Sequence, residues 1–153
     1  MVGQCLGAGK TERVPRIISF SFCVNLIFGV IFTVFTVIFP RQIFGLFSTD
    51  SDVLEMAMMF IPCAILSYFG FAFRTPLLAL INGVGHAKLN LIVGLLDGVV
   101  CRIGLAILLG ISFGMGVRGF WYGNVLAGYV PFVIGMVYFY SGKWKTRTLL
   151  ISG

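Results

Sequence analysis

The chain has 153 residues, of which 59% are hydrophobic and 10% charged, and its mean hydropathy is +1.04. Soluble domains carry about 25% charged residues, so this composition excludes an ordinary soluble domain and defines an integral membrane protein. The net charge of +6 would suit a nucleic-acid partner. The basic residues, however, sit between apolar spans and form no run across a polar surface, which excludes nucleic acid and points to membrane orientation.

Met1 to Arg16 reads as a polar, glycine-rich cytoplasmic loop. Gly9-Lys10-Thr11 invites comparison with a phosphate loop, but G-x-x-x-x-G-K-[ST] needs glycine where Gln4 stands, and no strand precedes it. The first span, Ile17 to Phe39, is uninterrupted and long enough to cross a bilayer as a tilted helix. It is too long for a strand or for the apolar core of a signal peptide, and no small-residue cleavage site follows it. Pro40 and Arg41 end it, Ile43 to Phe47 reads as a short interfacial turn, and Ser48 to Asp52 supplies capping residues for the next helix.

The second span, Val53 to Ile81, is too long for one straight crossing. Pro62 and Pro76 predict a bent helix, which carries Arg74. Asn82 to Lys88 is a turn, with His86 read as a solvated loop residue. The third span, Leu89 to Ile111, contains Asp97 and Arg102. An ionisable group at the centre of a membrane helix costs about 2.5–3.5 kcal/mol on insertion scales, so this helix is expected to face other helices. Gly94-x-x-x-Gly98 predicts its packing face, one turn from the carboxylate. Ser112 to Arg118 turns the chain again, and the fourth span runs from Gly119 to Tyr140 with Pro131 near its middle. Trp121, Tyr122, Tyr140 and Trp144 flank that span as interfacial anchors would. The tail from Lys143 to Gly153 is basic.

The expected fold is therefore all-α: an integral membrane bundle of four spanning helices over residues 17–142. Loop charge sets its orientation. Lys10, Arg13, Arg16, Lys88, Lys143, Lys145 and Arg147 fall on one side, against Arg41 and Arg118 on the other, which places both ends in the cytoplasm of a multi-pass cell-membrane protein. Cys5, Cys23, Cys63 and Cys101 form no metal-binding spacing and read as small apolar residues. No Ser/His, Cys/His or metal constellation implies an enzyme, and no cofactor is expected.

Three stretches carry a family resemblance. G-Q-C-L-G-A-G-K-T-E-R (Gly3 to Arg13) resembles a cytoplasmic loop of multidrug and toxic compound extrusion (MATE) transporters. P-L-L-A-L-I-N-G-V-G-H-A-K (Pro76 to Lys88) resembles the loop between their tenth and eleventh helices. G-M-G-V-R-G-F-W-Y-G-N (Gly114 to Asn124) resembles the approach to their last helix. The resemblance covers nearly the whole chain. It implies that the four spans match helices nine to twelve, a carboxy-terminal fragment whose missing amino-terminal lobe would be its partner besides the lipid bilayer. It further implies export of small organic compounds, often cationic, in exchange for protons or sodium ions. Two rival functions are a lipid-linked sugar flippase of the same superfamily and a membrane subunit that only packs against a partner. Some family members hold a cation with an acidic residue on the tenth helix. Here the matching span has only Glu55, at its edge, and Arg74 deeper in; the intramembrane carboxylate is Asp97, on the next helix.

Depth singles out the candidate residues. Asn25, Arg74 and Asp97 all lie seven or eight residues from the cytoplasmic ends of their spans, about 10–12 Å deep at 1.5 Å per residue, and are expected to form one polar layer. Arg102 lies five residues beyond Asp97, about 140° around an α-helix, and so is a poor same-helix partner. Asp97 is either a proton- or cation-coupling carboxylate tuned by Arg74 or Arg102, or a salt bridge that fixes packing. Tyr68 and Asn124 are candidates for lining a substrate cavity, with interhelical hydrogen bonding as the alternative. Met56, Met58 and Met59 suit an adaptable apolar pocket or a lipid-facing surface.

Overall fold

The computed structural model describes residues 1–145, and the described chain is helical throughout its ordered elements. The elements are α1 (Val2–Gly7), α2 (Arg13–Ile38), α3 (Pro40–Gly45), α4 (Ser51–Gly83), α5 (Ala87–Ser112) and α6 (Val117–Tyr140). Four of them, α2, α4, α5 and α6, are long and apolar enough to cross a membrane. Residues 146–153, with Arg147 of the basic tail, lie outside the described residues.

The first sixteen residues are more ordered than a glycine-rich loop. Val2 is buried, and Gly3 and Gly83 let α1 and the end of α4 approach so closely that a Cβ on Gly83 would sit 2.8 Å from the Val2 side chain. α4 has 33 residues, about 50 Å of helix, and runs on through Pro62 and Pro76. Hydroxyl groups supplement its backbone bonding: Ser67 donates to the Cys63 carbonyl at 2.8 Å and Thr75 to the Phe71 carbonyl at 2.7 Å. Asp50 caps it as expected, its carboxylate accepting the Asp52 N–H at 3.1 Å.

α5 and α6 depart from regular α-helix. α5 opens into wide turns at Leu96–Cys101 and Leu108–Ser112, with i→i+5 geometry of the kind that marks functional sites. α6 breaks at Gly128–Tyr129, where two i→i−3 bonds tighten the chain. Pro131 is the cause: having no N–H, it cannot bond the Ala127 carbonyl.

In space the order is α2, α4, α6, α5. α2 packs along α4, α4 along α6, and α6 against α5. The α5–α6 contact is made by Gly119 and Gly123: a Cβ on Gly123 would lie 2.6 Å from the Ala106 nitrogen, and one on Gly119 would strike the Leu109 carbonyl. This corrects the sequence expectation, because nothing lies within 4 Å of a Cβ at Gly94, Gly98 or Gly104. The glycines that let α5 and α6 approach are Gly119 and Gly123 of α6 and Gly110 of α5, where a Cβ would sit 2.9 Å from the Phe120 ring.

Val2, Val14, Ile18, Leu80, Val84 and Trp144 form one buried cluster. It gathers the start of the chain, the α4–α5 turn and the end of α6 at one end of the bundle. Trp144, expected as an interfacial anchor, is instead among the most buried side chains. It stacks on Phe139 at 5.8 Å and donates from Nε1 to the Phe139 carbonyl at 2.9 Å. His86 is likewise no free loop residue: its Nδ1 accepts the Leu89 N–H at 3.3 Å, capping α5, and its ring meets Tyr138 edge-on. Of the cysteines Cys63 is buried, whereas Cys23 is exposed.

Candidate functional site

The polar centre lies where α4, α5 and the break in α6 meet. Arg74 reaches from α4, and its Nη1 donates to Asp97 Oδ2 at 3.3 Å. Arg102 Nη2 donates to Asp97 Oδ1 at 3.4 Å. The carboxylate is thus bracketed by two guanidinium groups, one from the neighbouring helix and one from its own. The second contact depends on the wide turn at Leu96–Cys101. A regular α-helix would carry position i+5 away from Asp97, whereas i→i+5 geometry brings it around beneath the carboxylate. The sequence argument assumed 3.6 residues per turn and so rated Arg102 a poor partner.

The triad is partly shielded even without any covering. Asp97 is 15% exposed, Arg74 25% and Arg102 41%. Arg74 also lies over the Phe71 ring, 5.1 Å from its centroid. Arg102 Nε is shielded from solvent and has no hydrogen-bond partner among the described residues.

Beside the triad is a cleft of about 150 Å³, lined by Ser67, Phe71, Arg74, Arg102, Asn124 and Gly128 among others. The break in α6 shapes one wall. Tyr129, at that break, donates its hydroxyl to the Leu66 carbonyl at 2.6 Å, and its ring fills the notch left by Gly70, where a Cβ would sit 2.9 Å away. A second, apolar groove of about 470 Å³ lies between α2 and α4, lined by Asn25, Phe28, Phe32, Tyr68 and Phe71. Phe71 borders both spaces.

The expected polar layer of three is therefore brought together only in part. Arg74 and Asp97 meet, and Arg102 joins them. Asn25 belongs to the apolar groove, where its amide donates to the Ser21 carbonyl on its own helix at 2.7 Å. The reason is lateral position: equal depth does not imply contact, and α2 packs on α4 rather than on α5. Tyr68 lines the groove, shares a hydrogen bond of 3.1 Å with Thr36 and tilts against Phe32. Asn124 lines the cleft and is exposed. Sequence reasoning missed Ser67, Phe71, Gly128 and Tyr129. The spacing of Gly128 and Pro131 was the available signal, since it marks a helix break.

Apolar helices with polar groups gathered at an interrupted segment define the class: a polytopic membrane protein with an ion triad inside its helical layer. The MatE family model matches residues 1–108. The chain belongs to the MatE family. It is similar to the probable multidrug resistance protein NorM of Thermotoga maritima, 24% identical over 98% of this chain and 32% of that protein. It is also similar to human multidrug and toxin extrusion protein 1, 24% identical over 94% of this chain and 25% of that protein. Protein DETOXIFICATION 15 of Arabidopsis thaliana is 28% identical over 82% of this chain and 26% of that protein. The chain thus spans about a third or less of the length of these curated relatives. No solved structure gives a significant match.

Proposed function

We propose that this chain forms part of an extrusion antiporter that exports organic compounds across the cell membrane in exchange for protons or sodium ions. The observation that carries this reading is the family match over residues 1–108, on a chain whose membrane-spanning helices enclose a carboxylate and two guanidinium groups. The relatives named for multidrug resistance and for multidrug and toxin extrusion support the same role. The apolar groove between α2 and α4, walled by Phe28, Phe32, Tyr68 and Phe71, offers aromatic surface to an organic compound.

Asp97 is the one acidic residue of the chain deep in an apolar span. Its primary role in this reading is to fasten α5 to α4 through Arg74. A coupling ion arriving at Asp97 has to displace a guanidinium, so the triad is also the place where ion arrival would loosen α5. The remaining surface fits a partial assembly: only 6% of an 18-residue apolar stretch of α5 and 11% of one of α2 is buried. Lipid and a second helical lobe are the partners assigned to those faces, with both ends of the chain in the cytoplasm.

The test is export of ethidium from an efflux-deficient host carrying the gene's complete reading frame, with and without a protonophore or external sodium. Gradient-dependent export supports the reading. Membrane-inserted protein that exports no compound from a panel of organic cations, anions and neutral dyes rejects it.

A further inference from the structure

At the end of the bundle opposite the Trp144 cluster, a groove of about 450 Å³ lies between α3, α4 and α6. Phe44, Met56, Phe60 and Trp121 line it, and Phe60 meets the Trp121 ring edge-on at 5.3 Å. Its rim carries one charge of each sign. Asp52 lines the groove. Asp50 uses its carboxylate to cap α4, whereas that of Asp52 has no hydrogen bond or ion pair among the described residues. Arg118 stands three residues before Trp121, hence on the same face of α6. Its Nη2 donates to the Met59 thioether at 3.3 Å, a weak acceptor for a guanidinium, and it too has no ion pair among the described residues.

The order of the charges indicates the occupant. Met59 lies seven residues beyond Asp52 on α4, about 10 Å deeper at 1.5 Å per residue, and Arg118 is held at that depth. An amphiphile with its chain in the groove therefore meets the guanidinium first and the carboxylate further out. A zwitterionic phospholipid has the matching order, with the phosphate next to the acyl chains and the ammonium beyond it. A primary ammonium can donate to Asp52, which a choline group cannot. Leu46 and Phe47, which follow α3, are 85% and 86% exposed and suit contact with acyl chains.

We infer that the groove between α3, α4 and α6 is a binding site for an ethanolamine phospholipid of the bilayer. Its phosphate sits on Arg118, its ammonium on Asp52, and one acyl chain lies against Met56, Phe60 and Trp121. In the orientation proposed above, this is the leaflet away from the cytoplasm. The inference requires a membrane-spanning chain and does not depend on what is exported.

The experiment places the purified protein in phosphatidylcholine nanodiscs containing a fixed fraction of one dibrominated lipid: phosphatidylethanolamine, phosphatidylcholine, phosphatidylglycerol or diacylglycerol. Bromine quenches a tryptophan that it touches, and the fluorescence component lost in Trp121→Phe reports the groove. Phosphatidylethanolamine should associate about two- to fivefold more strongly than phosphatidylcholine or phosphatidylglycerol, the worth of one exposed ion pair. Asp52→Asn should bring that ratio to about one, and Asp52→Glu should keep it. Arg118→Gln should weaken all three phospholipids relative to diacylglycerol. Both residues are exposed, so the variants should insert; if Asp52→Asn does not, Arg118→Gln decides. Equal quenching by all four lipids is ordinary annular contact and overturns the inference. So does a preference that survives Asp52→Asn, a phospholipid advantage over diacylglycerol that survives Arg118→Gln, or a Trp121 that no lipid quenches, which would mean that another helix covers the groove.

Discussion

Asp97 holds two arginines that would otherwise stand inside the span with no counter-charge. Replacing it removes the carboxylate from both at once. Breaking a buried ion pair costs about 3–5 kcal/mol. With Arg102 41% exposed, the lower end of that range applies here. Asp97→Asn should therefore lower the thermal midpoint of the detergent-solubilised protein markedly and reduce its accumulation. Arg102→Gln leaves Asp97 paired with Arg74 and should cost about 1 kcal/mol. Equal losses in the two variants would show that Arg102, not Arg74, is the structural partner. Transport measured alongside separates fastening from coupling, since an Asp97→Asn protein that accumulates normally yet loses ion-driven export assigns the carboxylate to coupling. At this scale the sequence was informative about identity and depth: Asp97, Arg74 and Arg102 stand out as the ionisable residues deep in apolar spans. It was uninformative about who meets whom, because contact depends on which helices are neighbours.

The helices themselves are shaped by their exceptions. The break in α6 at Gly128–Tyr129 follows from Pro131, and the ring of Tyr129 docks on Gly70 with its hydroxyl on the Leu66 carbonyl. Tyr129→Phe keeps the ring and removes one hydrogen bond, so it should cost about 1 kcal/mol, read as a modest drop in thermal midpoint. Gly70→Val strikes the ring directly and should cost more than Tyr129→Phe; the reverse order would mean that the docking in the notch is not what holds the break. A sharper contrast lies between α5 and α6. Gly123→Val would place its Cβ 2.6 Å from backbone of α5 and should force the two helices apart, whereas Gly98→Val meets nothing within 4 Å. Site-directed cross-linking between α5 and α6 should be lost in the first variant and retained in the second. The sequence motif on α5 predicted the opposite assignment. Glycine spacing shows where a helix can be approached closely, and only the neighbour's position shows where it is.

As a molecule, the chain packs α2 on α4, α4 on α6 and α6 on α5. Val2, Val84 and Trp144 share one cluster, so the beginning of the chain, the α4–α5 turn and the end of α6 lie at the same end. Lys10, Arg13, Arg16, Lys88, Lys143 and Lys145 belong to the segments around that end. With the excess of loop Lys/Arg there, reporters fused at residue 1 and after residue 153 should both read cytoplasmic. Opposite readings from the two fusions would require an odd number of crossings and reject the four-span reading. Trp144→Ala empties the largest buried site of the cluster and should cost about 3–5 kcal/mol, where an interfacial anchor would cost far less.

Composition and periodicity determined that this protein is all-helical, that four segments can span a membrane, and where each begins and ends to within a few residues. Those features are local: apolar length, proline position and capping residues act on the chain close to where they stand. The three stretches that resemble MATE transporters were equally legible, because a motif is a property of adjacent residues. The tertiary structure alone decided that Asn25 and Asp97, equal in depth, lie on different sides of α4. It decided that a widened turn brings Arg102 back to Asp97, and that Trp144 is core rather than interface. Each of these depends on which helix stands beside which and on how a helix departs from 3.6 residues per turn, and neither is encoded in spacing along a single span.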